Sequence, residues 1–305
     1  MKFLRKPDFL RWGLASFLAL AAGISLTSTV VAKPSTPAEP PELEIARDRI
    51  DWLPAPAAKP IVPGLIDPSP STSRVIYEED DRIPMTNRDY PWSAVGRLVV
   101  ETADGETGLC TGTLVATDIV LTNAHCVVTP ETHQLHKRIA FQPNLINGYL
   151  AREEDIAWGK NVVFGTDFSD GADADPDDWA LIKLDRSLGE RYGTLRWQAL
   201  PAKVLLGKAE KLFLVGYSAD FPPENPGKTA GVHVGCSIRA DAEDFWVHDC
   251  DTTGGASGGP ILAEIDDEFY VVALHAIGVT DEDKVPLHNL AVKIDRIEAW
   301  IKAQQ

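Results

Sequence analysis

The heptapeptide Gly254-Gly255-Ala256-Ser257-Gly258-Gly259-Pro260 decides how this sequence is interpreted, because it sets a serine among small residues ahead of a short apolar run. Serine is a weak nucleophile unless a neighbouring base takes its proton. The glycines leave room for another backbone to approach and for amides to point at a negatively charged oxygen. The stretch therefore predicts a nucleophile at Ser257 and an oxyanion-binding pair of N–H groups at Gly255 and Ser257.

Two upstream segments supply the partners that such a serine needs. Leu121-Thr122-Asn123-Ala124-His125-Cys126 carries an imidazole, which accepts a proton near neutral pH and suits a general base. Asp178 directly precedes the apolar run Trp179-Ala180-Leu181-Ile182-Lys183-Leu184. A buried carboxylate at that place can hold the imidazole in one tautomer and stabilise its protonated form.

With these three segments in the order His125, Asp178, Ser257, the chain resembles the trypsin-like (chymotrypsin-fold) serine endopeptidases. The resemblance implies an all-β fold of two six-stranded Greek-key β-barrels, a catalytic cleft between them and a C-terminal α-helix. It implies an enzyme that hydrolyses peptide bonds through an acyl-enzyme, with no cofactor and no metal ion. The alternative is a non-catalytic binding protein that kept the fold.

Two departures from the trypsin pattern bear on mechanism, and a third is mild. In the trypsin branch an aspartate precedes the serine and pairs with a newly cut N-terminal amine, whereas this chain has Ala256. The sequence looks more like the bacterial glutamyl endopeptidase branch, in which the mature chain begins with Val-Ile and its amine helps to bind an acidic side chain. Arg74-Val75-Ile76 fits such a cut of a zymogen. Ala276 replaces a frequent hydroxyl that supports the catalytic carboxylate, and Asn123 replaces a commoner alanine.

The specificity pocket is expected to contain Thr252 and Asp251 at its base and His275 on its wall. In the glutamyl branch a threonine and a histidine at such places hold a substrate carboxylate, which predicts cleavage after Glu. An aspartate on the pocket floor would instead attract Lys or Arg. Asp251 therefore leaves cleavage after Lys or Arg open, unless it turns away and bonds to the backbone.

The four cysteines allow three pairings. We expect disulfides between Cys110 and Cys126 and between Cys236 and Cys250, since each pair brackets a short segment beside a motif. Free buried thiols are the alternative. An even number of cysteines fits an oxidising compartment.

The N-terminal region predicts export. Residues 1–32 combine a basic start with an uncharged run that ends in small residues, as in a signal peptide. Residues 33–74 are rich in proline and alanine and are interpreted as a linker or pro-segment. We expect a secreted, periplasmic or extracellular monomer that contacts a membrane only if the N-terminal segment is retained. The net charge of −16 argues against nucleic acid and leaves polypeptides as the expected substrates.

The remaining chain, residues 75–305, is expected to form the protease domain. Short β-branched runs alternate there with turn residues, which is typical of sandwiches and barrels. These runs cover residues 92–100, 111–116, 119–122, 162–164, 180–184, 212–217, 231–238, 260–263 and 269–277. We place the first barrel at about 75–195, the second at about 196–290 and a helix at about 292–303, where apolar residues recur at helical spacing.

Overall fold

A computed structural model describes residues 39–46, 50–54, 80–171, 174–280 and 286–304. The signal peptide expected over residues 1–32 and the cut expected before Val75 lie outside the described residues. The chain divides into two compact units, Met1–Glu39 and Pro40–Gln305. All the elements below belong to the second unit.

In chain order the described strands are β1 (Glu44–Ile45), β2 (Arg82–Pro84), β3 (Val95–Glu101), β4 (Thr107–Ala116), β5 (Ile119–Thr122), β6 (Val128–Thr129), β7 (Gln134–Leu135), β8 (Arg138–Pro143), β9 (Ala157–Phe164), β10 (Ala180–Leu184), β11 (Arg196–Trp197), β12 (Leu212–Gly216), β13 (Gly231–Cys236), β14 (Ile238–Ala242), β15 (Phe245–His248), β16 (Pro260–Ile265), β17 (Glu268–Thr280) and β18 (Pro286–Lys293). The described helices are α1 (Gly189–Tyr192), α2 (Ala202–Leu206) and α3 (Ile294–Ala303), with 3₁₀ turns at Trp92–Ala94, Ala124–Cys126 and Glu153–Asp155.

The first sheet is a closed six-stranded barrel. Its strands follow the order β9-β10-β5-β4-β3-β8, and a further pairing of β8 with β9 closes the ring. Side chains that point inward alternate with outward ones along each strand, and Leu98, Leu114, Leu121 and Phe141 are fully buried inside. This barrel carries His125 and Asp178 at one end.

The second sheet is strongly curled and less completely closed. It runs in the order β14-β15-β18-β17-β16-β12-β13-β2. Only Ser237 separates β13 from β14, so that one bent segment provides the strand at one end of the sheet and the strand beside β2 at the other end. The predicted all-β class is confirmed, with a closed first barrel and a partly open second one.

The C-terminal helix α3 is amphipathic and packs on the outside of the barrels. Ile294, Ile297 and Ile301 are buried, and the Trp300 ring meets the Trp179 ring edge-on at 5.1 Å. The predicted helix is therefore present. None of the helices that the structure describes is long and apolar enough to cross a membrane.

Part of the segment assigned to the linker is ordered against the first barrel. Strand β1 pairs in parallel with β9, and the Leu43 N–H donates to the Lys137 carbonyl oxygen at 2.9 Å. The Leu43 side chain is 5% exposed. It fits beside Gly159, where an added Cβ would lie 3.0 Å from Leu43 Cδ1. Leu43 therefore contributes to the barrel core, while β1 extends the sheet at its edge.

Both disulfides form in the expected pairing. Cys110 is bonded to Cys126, which ties β4 to the turn that carries His125. Cys236 is bonded to Cys250, which ties the end of β13 to the segment before the serine turn (residues 254–260). The two bridges therefore flank the cleft from opposite barrels.

Candidate active site

A cleft of about 540 Å³ lies between the barrels. Its described lining comes from both halves of the chain and includes the predicted residues His125, Asp178, Thr252, Ser257 and His275. Asp251 does not belong to that lining, and Val75 lies outside the described residues. The structure thus brings five of the seven predicted catalytic and substrate-binding side chains to one cavity.

His125 and Asp178 meet because their strands are paired. Ala180 on β10 lies opposite Thr122 on β5 in an antiparallel ladder, so the residues before one strand and after the other share one end of the barrel. His125 Nδ1 lies 2.7 Å from Asp178 Oδ2. An ionised carboxylate only accepts hydrogen bonds, so this contact places the imidazole proton on Nδ1 and leaves Nε2 with a free lone pair.

The Asp178 carboxylate has a second donor that needs no hydroxyl at position 276. The backbone N–H of His125 donates to Asp178 Oδ1 at 2.9 Å. Asn123 fixes the same residue from behind, since its Nδ2 donates to the Asp178 carbonyl oxygen at 2.7 Å. The asparagine that departs from the family pattern therefore helps to position the carboxylate.

The pKa of His125 is raised above its ordinary value. Burial lowers the pKa of the ring, but the charge of Asp178 and its hydrogen bond to the ring outweigh that effect. A base with a raised pKa accepts a proton more readily, which suits proton transfer from a hydroxyl.

Two amides of the serine turn, those of Gly255 and Ser257, have no backbone acceptor among the described residues. The Gly254 carbonyl oxygen accepts the Ala219 N–H at 2.7 Å, and the Ala256 carbonyl oxygen accepts the Gly259 N–H at 2.7 Å. In a trans peptide the C=O and the following N–H point in opposite directions. The N–H groups of Gly255 and Ser257 therefore face away from these bonds, and neither donates to another backbone group among the described residues.

The turn depends on glycine at position 255. Its φ is +96°, and an added Cβ would lie 2.5 Å from the Tyr217 carbonyl oxygen. The Ser257 hydroxyl donates to the Ala276 carbonyl oxygen at 3.4 Å. Ser257 is one of the residues that line the cleft.

Thr111 on β4 fastens this turn to the first barrel. Its N–H donates to the Ser257 carbonyl oxygen at 2.8 Å, and its hydroxyl donates to the Gly255 carbonyl oxygen at 2.9 Å. The same hydroxyl accepts the Tyr217 N–H at 2.8 Å. One buried threonine therefore joins β4, the chain after β12 and the serine turn.

The pocket beside Ser257 is lined by donors rather than by Asp251. The Thr252 hydroxyl is buried and has no hydrogen-bond partner among the described residues. Asp251 turns away: its Oδ2 accepts the Asp81 N–H at 2.9 Å and lies 3.1 Å from His233 Nδ1.

A second histidine, which the sequence reasoning missed, sets the tautomer of His275. The Cys250 N–H donates to His248 Nδ1 at 3.2 Å, so His248 carries its proton on Nε2. His248 Nε2 lies 3.1 Å from His275 Nδ1, which makes that nitrogen the acceptor and leaves an N–H on His275 Nε2. Burial, together with the charge of His125, lowers the pKa of His275 to about 3, so the ring is a neutral donor.

In the described part of the chain, one cluster of side chains that could bind a metal ion contains no disulfide-bonded cysteine. It consists of Asp81, His233 and Asp251. His233 Nδ1 already accepts the Asp251 N–H at 2.8 Å. The lone pair that would bind an ion is therefore in use, and these residues are a poor fit to a metal.

Comparison with known proteins gives consistent matches. The profile of the family described as "Trypsin-like peptidase domain" matches residues 110–274, a range that includes His125, Asp178 and Ser257. Serine protease 23 from Bos taurus is 28% identical over 213 residues, which cover 63% of this chain and 52% of that protein. The chain thus spans about half the length of this curated relative.

Three solved structures share the fold at low identity. A Glu endopeptidase in complex with MPD has a TM-score of 0.60 and 19% identity, covering 75% of this chain and 99% of that chain. The thermostable serine protease AL20 from an extremophilic microorganism has a TM-score of 0.55 and 17% identity, over 68% and 94%. The protease Anisep from Arthrobacter nicotinovorans has a TM-score of 0.53 and 18% identity, over 67% and 91%.

Proposed function

The chain belongs to the trypsin-like peptidase family, and from this premise we propose that it is a serine endopeptidase that cleaves polypeptides after glutamate. The observation that carries the catalytic part is the 2.7 Å contact of His125 with Asp178 in a cleft that also contains Ser257. That contact sets the tautomer in which the other ring nitrogen can accept the serine proton.

The reaction follows from these positions. Ser257 Oγ turns from the Ala276 carbonyl oxygen to attack the peptide carbonyl carbon, and its proton moves to His125 Nε2. The new oxyanion accepts hydrogen bonds from the N–H groups of Gly255 and Ser257. The C–N bond then breaks, the leaving amine takes the proton from His125 Nε2, and an acyl-enzyme remains. Water attacks the ester, gives its proton to His125, and Ser257 Oγ leaves with that proton.

The preference for glutamate rests on the two neutral donors in the pocket. His275 Nε2–H and the Thr252 hydroxyl can both donate to a carboxylate, and hydrogen bonds to a charged acceptor are roughly twice as strong as neutral ones. A Lys or Arg side chain would need an acceptor there. The carboxylates that do line the cleft, Glu131, Asp175 and Asp178, come from the first barrel.

A peptide library tests both parts of the proposal. Cleavage products of the purified mature protein, read by mass spectrometry, are expected to end in Glu. Ser257→Ala should lower the cleavage rate by about 10⁶-fold, and an organophosphorus reagent should label wild-type Ser257. A wild-type protein that neither cleaves nor is labelled would be a non-catalytic binding protein, and cuts mainly after Lys or Arg would refute the pocket assignment.

Two variants separate the pocket donors from the catalytic groups. Thr252→Val keeps the side-chain shape and removes one donor, and His248→Phe frees His275 to take the other tautomer. A lost charged hydrogen bond of about 1.5–3 kcal/mol predicts a fall of about 10- to 150-fold in kcat/KM on Glu peptides. The rate of Ser257 labelling by a reagent that leaves the pocket empty should stay near the wild-type value.

We also infer that the protein is exported and matured by proteolysis. The basic and uncharged N-terminal run, the two disulfides and the Arg74-Val75-Ile76 sequence support this inference. N-terminal sequencing of the mature protein is expected to begin at Val75, and a start far from Val75 would remove its amine from the pocket.

A further inference from the structure

The guanidinium of Arg82 on β2 is buried against the second barrel. Only 7% of its side chain is exposed, and its Cζ lies 4.7 Å from the centre of the Phe221 ring. A buried charge needs partners because it has lost its hydration. Arg82 Nε and Nη2 donate to the two oxygens of Asp80 at 2.8 Å each, and Nη1 and Nη2 donate to those of Asp220 at 3.0 and 3.1 Å.

The partner Asp220 lies against the residues that lead into the serine turn. Its Oδ1 also accepts the hydroxyl of Thr253. The preceding residue, Ala219, donates its N–H to the Gly254 carbonyl oxygen at 2.7 Å. Ala219 and Asp220 therefore bond to Gly254 and Thr253, the two residues that precede Gly255. Arg82 in turn pairs with Asp220.

A glycine-rich turn needs such external contacts. Glycine has many accessible backbone conformations, whereas stabilisation of an oxyanion requires amides that are fixed before the reaction. Ala256 is buried and carries no charge, so the turn has no internal ion pair. Beyond its own backbone hydrogen bonds, such as that from the Gly259 N–H to the Ala256 carbonyl oxygen, its order comes from contacts with neighbouring segments.

We propose that the Arg82–Asp220 ion pair positions the serine turn, so that a residue of strand β2 contributes to the geometry of the active site. The inference rests on the proposed function, since it concerns the amides that would bind the oxyanion. Arg82 does not line the cleft; it is a positioning residue that acts through Asp220 and Thr253. The planar guanidinium pairs with both carboxylate oxygens at once, which restricts Asp220 to one orientation.

The charge state of Asp220 supports a persistent link. Burial raises the pKa of Asp220, but hydrogen bonds from Arg82 and Thr253 outweigh it and leave the pKa below its ordinary value. The ion pair is therefore formed throughout the pH range in which His125 can act as a base.

The test compares Arg82→Gln with Arg186→Gln in the matured protein. Arg186 makes the same kind of two-bond pair with Asp185, at 3.0 and 2.8 Å, on the first barrel away from the cleft. For each protein we would measure kcat and KM on a Glu peptide, the rate of Ser257 labelling by an organophosphorus reagent, and the urea midpoint of unfolding.

Arg82→Gln should lower kcat and the labelling rate by about tenfold each, because a displaced oxyanion donor acts on the transition state. Its KM should stay within about twofold. Arg186→Gln should leave all rates within about twofold, because the partly exposed Arg186–Asp185 pair does not line the cleft. Arg82→Lys keeps the positive charge but lacks the planar guanidinium that bonds to both carboxylate oxygens, and it should give an intermediate kcat.

Wild-type values of kcat and labelling in Arg82→Gln would overturn the proposal, as would an equal loss in Arg186→Gln. Should Arg82→Gln fail to fold, Asp220→Asn decides: it can still accept the Thr253 hydroxyl but cannot form the ion pair, and unchanged rates there refute the proposal. A wild-type protein without cleavage or labelling refutes the proposed function instead.

Discussion

Replacing Thr111 by valine should weaken the contact between the serine turn and the first barrel. The two side chains have nearly the same shape, so the change removes the hydroxyl and leaves the packing of β4 in place. The Gly255 carbonyl oxygen would lose its donor at 2.9 Å, and the Tyr217 N–H would lose its acceptor at 2.8 Å. Two polar groups of the inter-barrel contact would then be unpaired.

The expected magnitudes follow from these two losses. Leaving a buried donor or acceptor unpaired costs about 1–3 kcal/mol, so the free energy of unfolding should fall by about 2–6 kcal/mol. The catalytic effect comes from the Gly255 side alone. A loss of about 1–3 kcal/mol in transition-state stabilisation corresponds to a fall of about 5- to 150-fold in kcat. The value of KM should change little, since the Thr252 pocket is untouched.

Thr113 provides the matched control on the same strand. Its hydroxyl is also buried, yet it has no hydrogen-bond partner among the residues that the structure describes. Thr113→Val should therefore leave kcat unchanged and leave stability equal or improved, while Thr111→Ser should keep most of the activity. The assays are steady-state cleavage of a Glu peptide and urea unfolding. If Thr111→Val and Thr113→Val have the same kcat, the coupling argued here does not exist.

Three further changes probe other parts of the molecule. Asp178→Asn should lower kcat by about 10⁴-fold. Asp178 raises the pKa of His125 and the base works when neutral, so wild-type activity is lost as pH falls through that raised pKa. The residual activity of the variant should therefore persist to lower pH in a profile of kcat/KM. An acid limb that stays in place would contradict the role given to Asp178. Asn123→Ala should lower the free energy of unfolding by about 1–3 kcal/mol and reduce kcat several-fold, because the Asp178 carbonyl oxygen loses its donor. An unchanged urea midpoint and kcat would show that this hydrogen bond does not position Asp178. In the chain before the proposed cut at Val75, Leu43→Ala should lower the free energy of unfolding by about 2–5 kcal/mol. Ile45→Ala on the same segment, where Ile45 is 41% exposed, should cost far less. Equal urea midpoints of the two variants would mean that the Leu43 side chain does not stabilise the barrel.

The sequence was sufficient for the local features of the fold. Short β-branched runs between turn residues located β4, β5, β10 and β16 to within four residues, since these strands are largely buried and therefore apolar along most of their length. Residues 92–94 were expected in a strand but form a 3₁₀ turn after Pro91. The sequence did not predict strand β18, because its polar residues His288 and Asn289 interrupt the apolar pattern. In the sheet β18 nevertheless lies between β15 and β17 and pairs with both.

The missing element of the site, His248, could not be found from local sequence. It lies on β15, opposite Asn289 on β18, while His275 on β17 lies opposite Ala291 on the other side of β18. The two histidines therefore meet across an intervening strand whose register joins residues far apart in the chain. A polar residue two positions before Cys250, in an otherwise apolar strand, is the one local signal that marked it.

The absence of an aspartate before Ser257 is matched by the packing around that position. A Cβ added to Gly216 would lie 2.6 Å from the Cβ of Ala256, and Ala256 is 1% exposed. Small residues at both positions allow β12 and the serine turn to lie directly against each other. A longer charged side chain would have to displace this contact, and burying it unpaired would be costly. The turn is held by neighbouring segments instead: Thr111 donates to the Gly255 carbonyl oxygen, and the Arg82–Asp220 pair reaches the turn through Thr253.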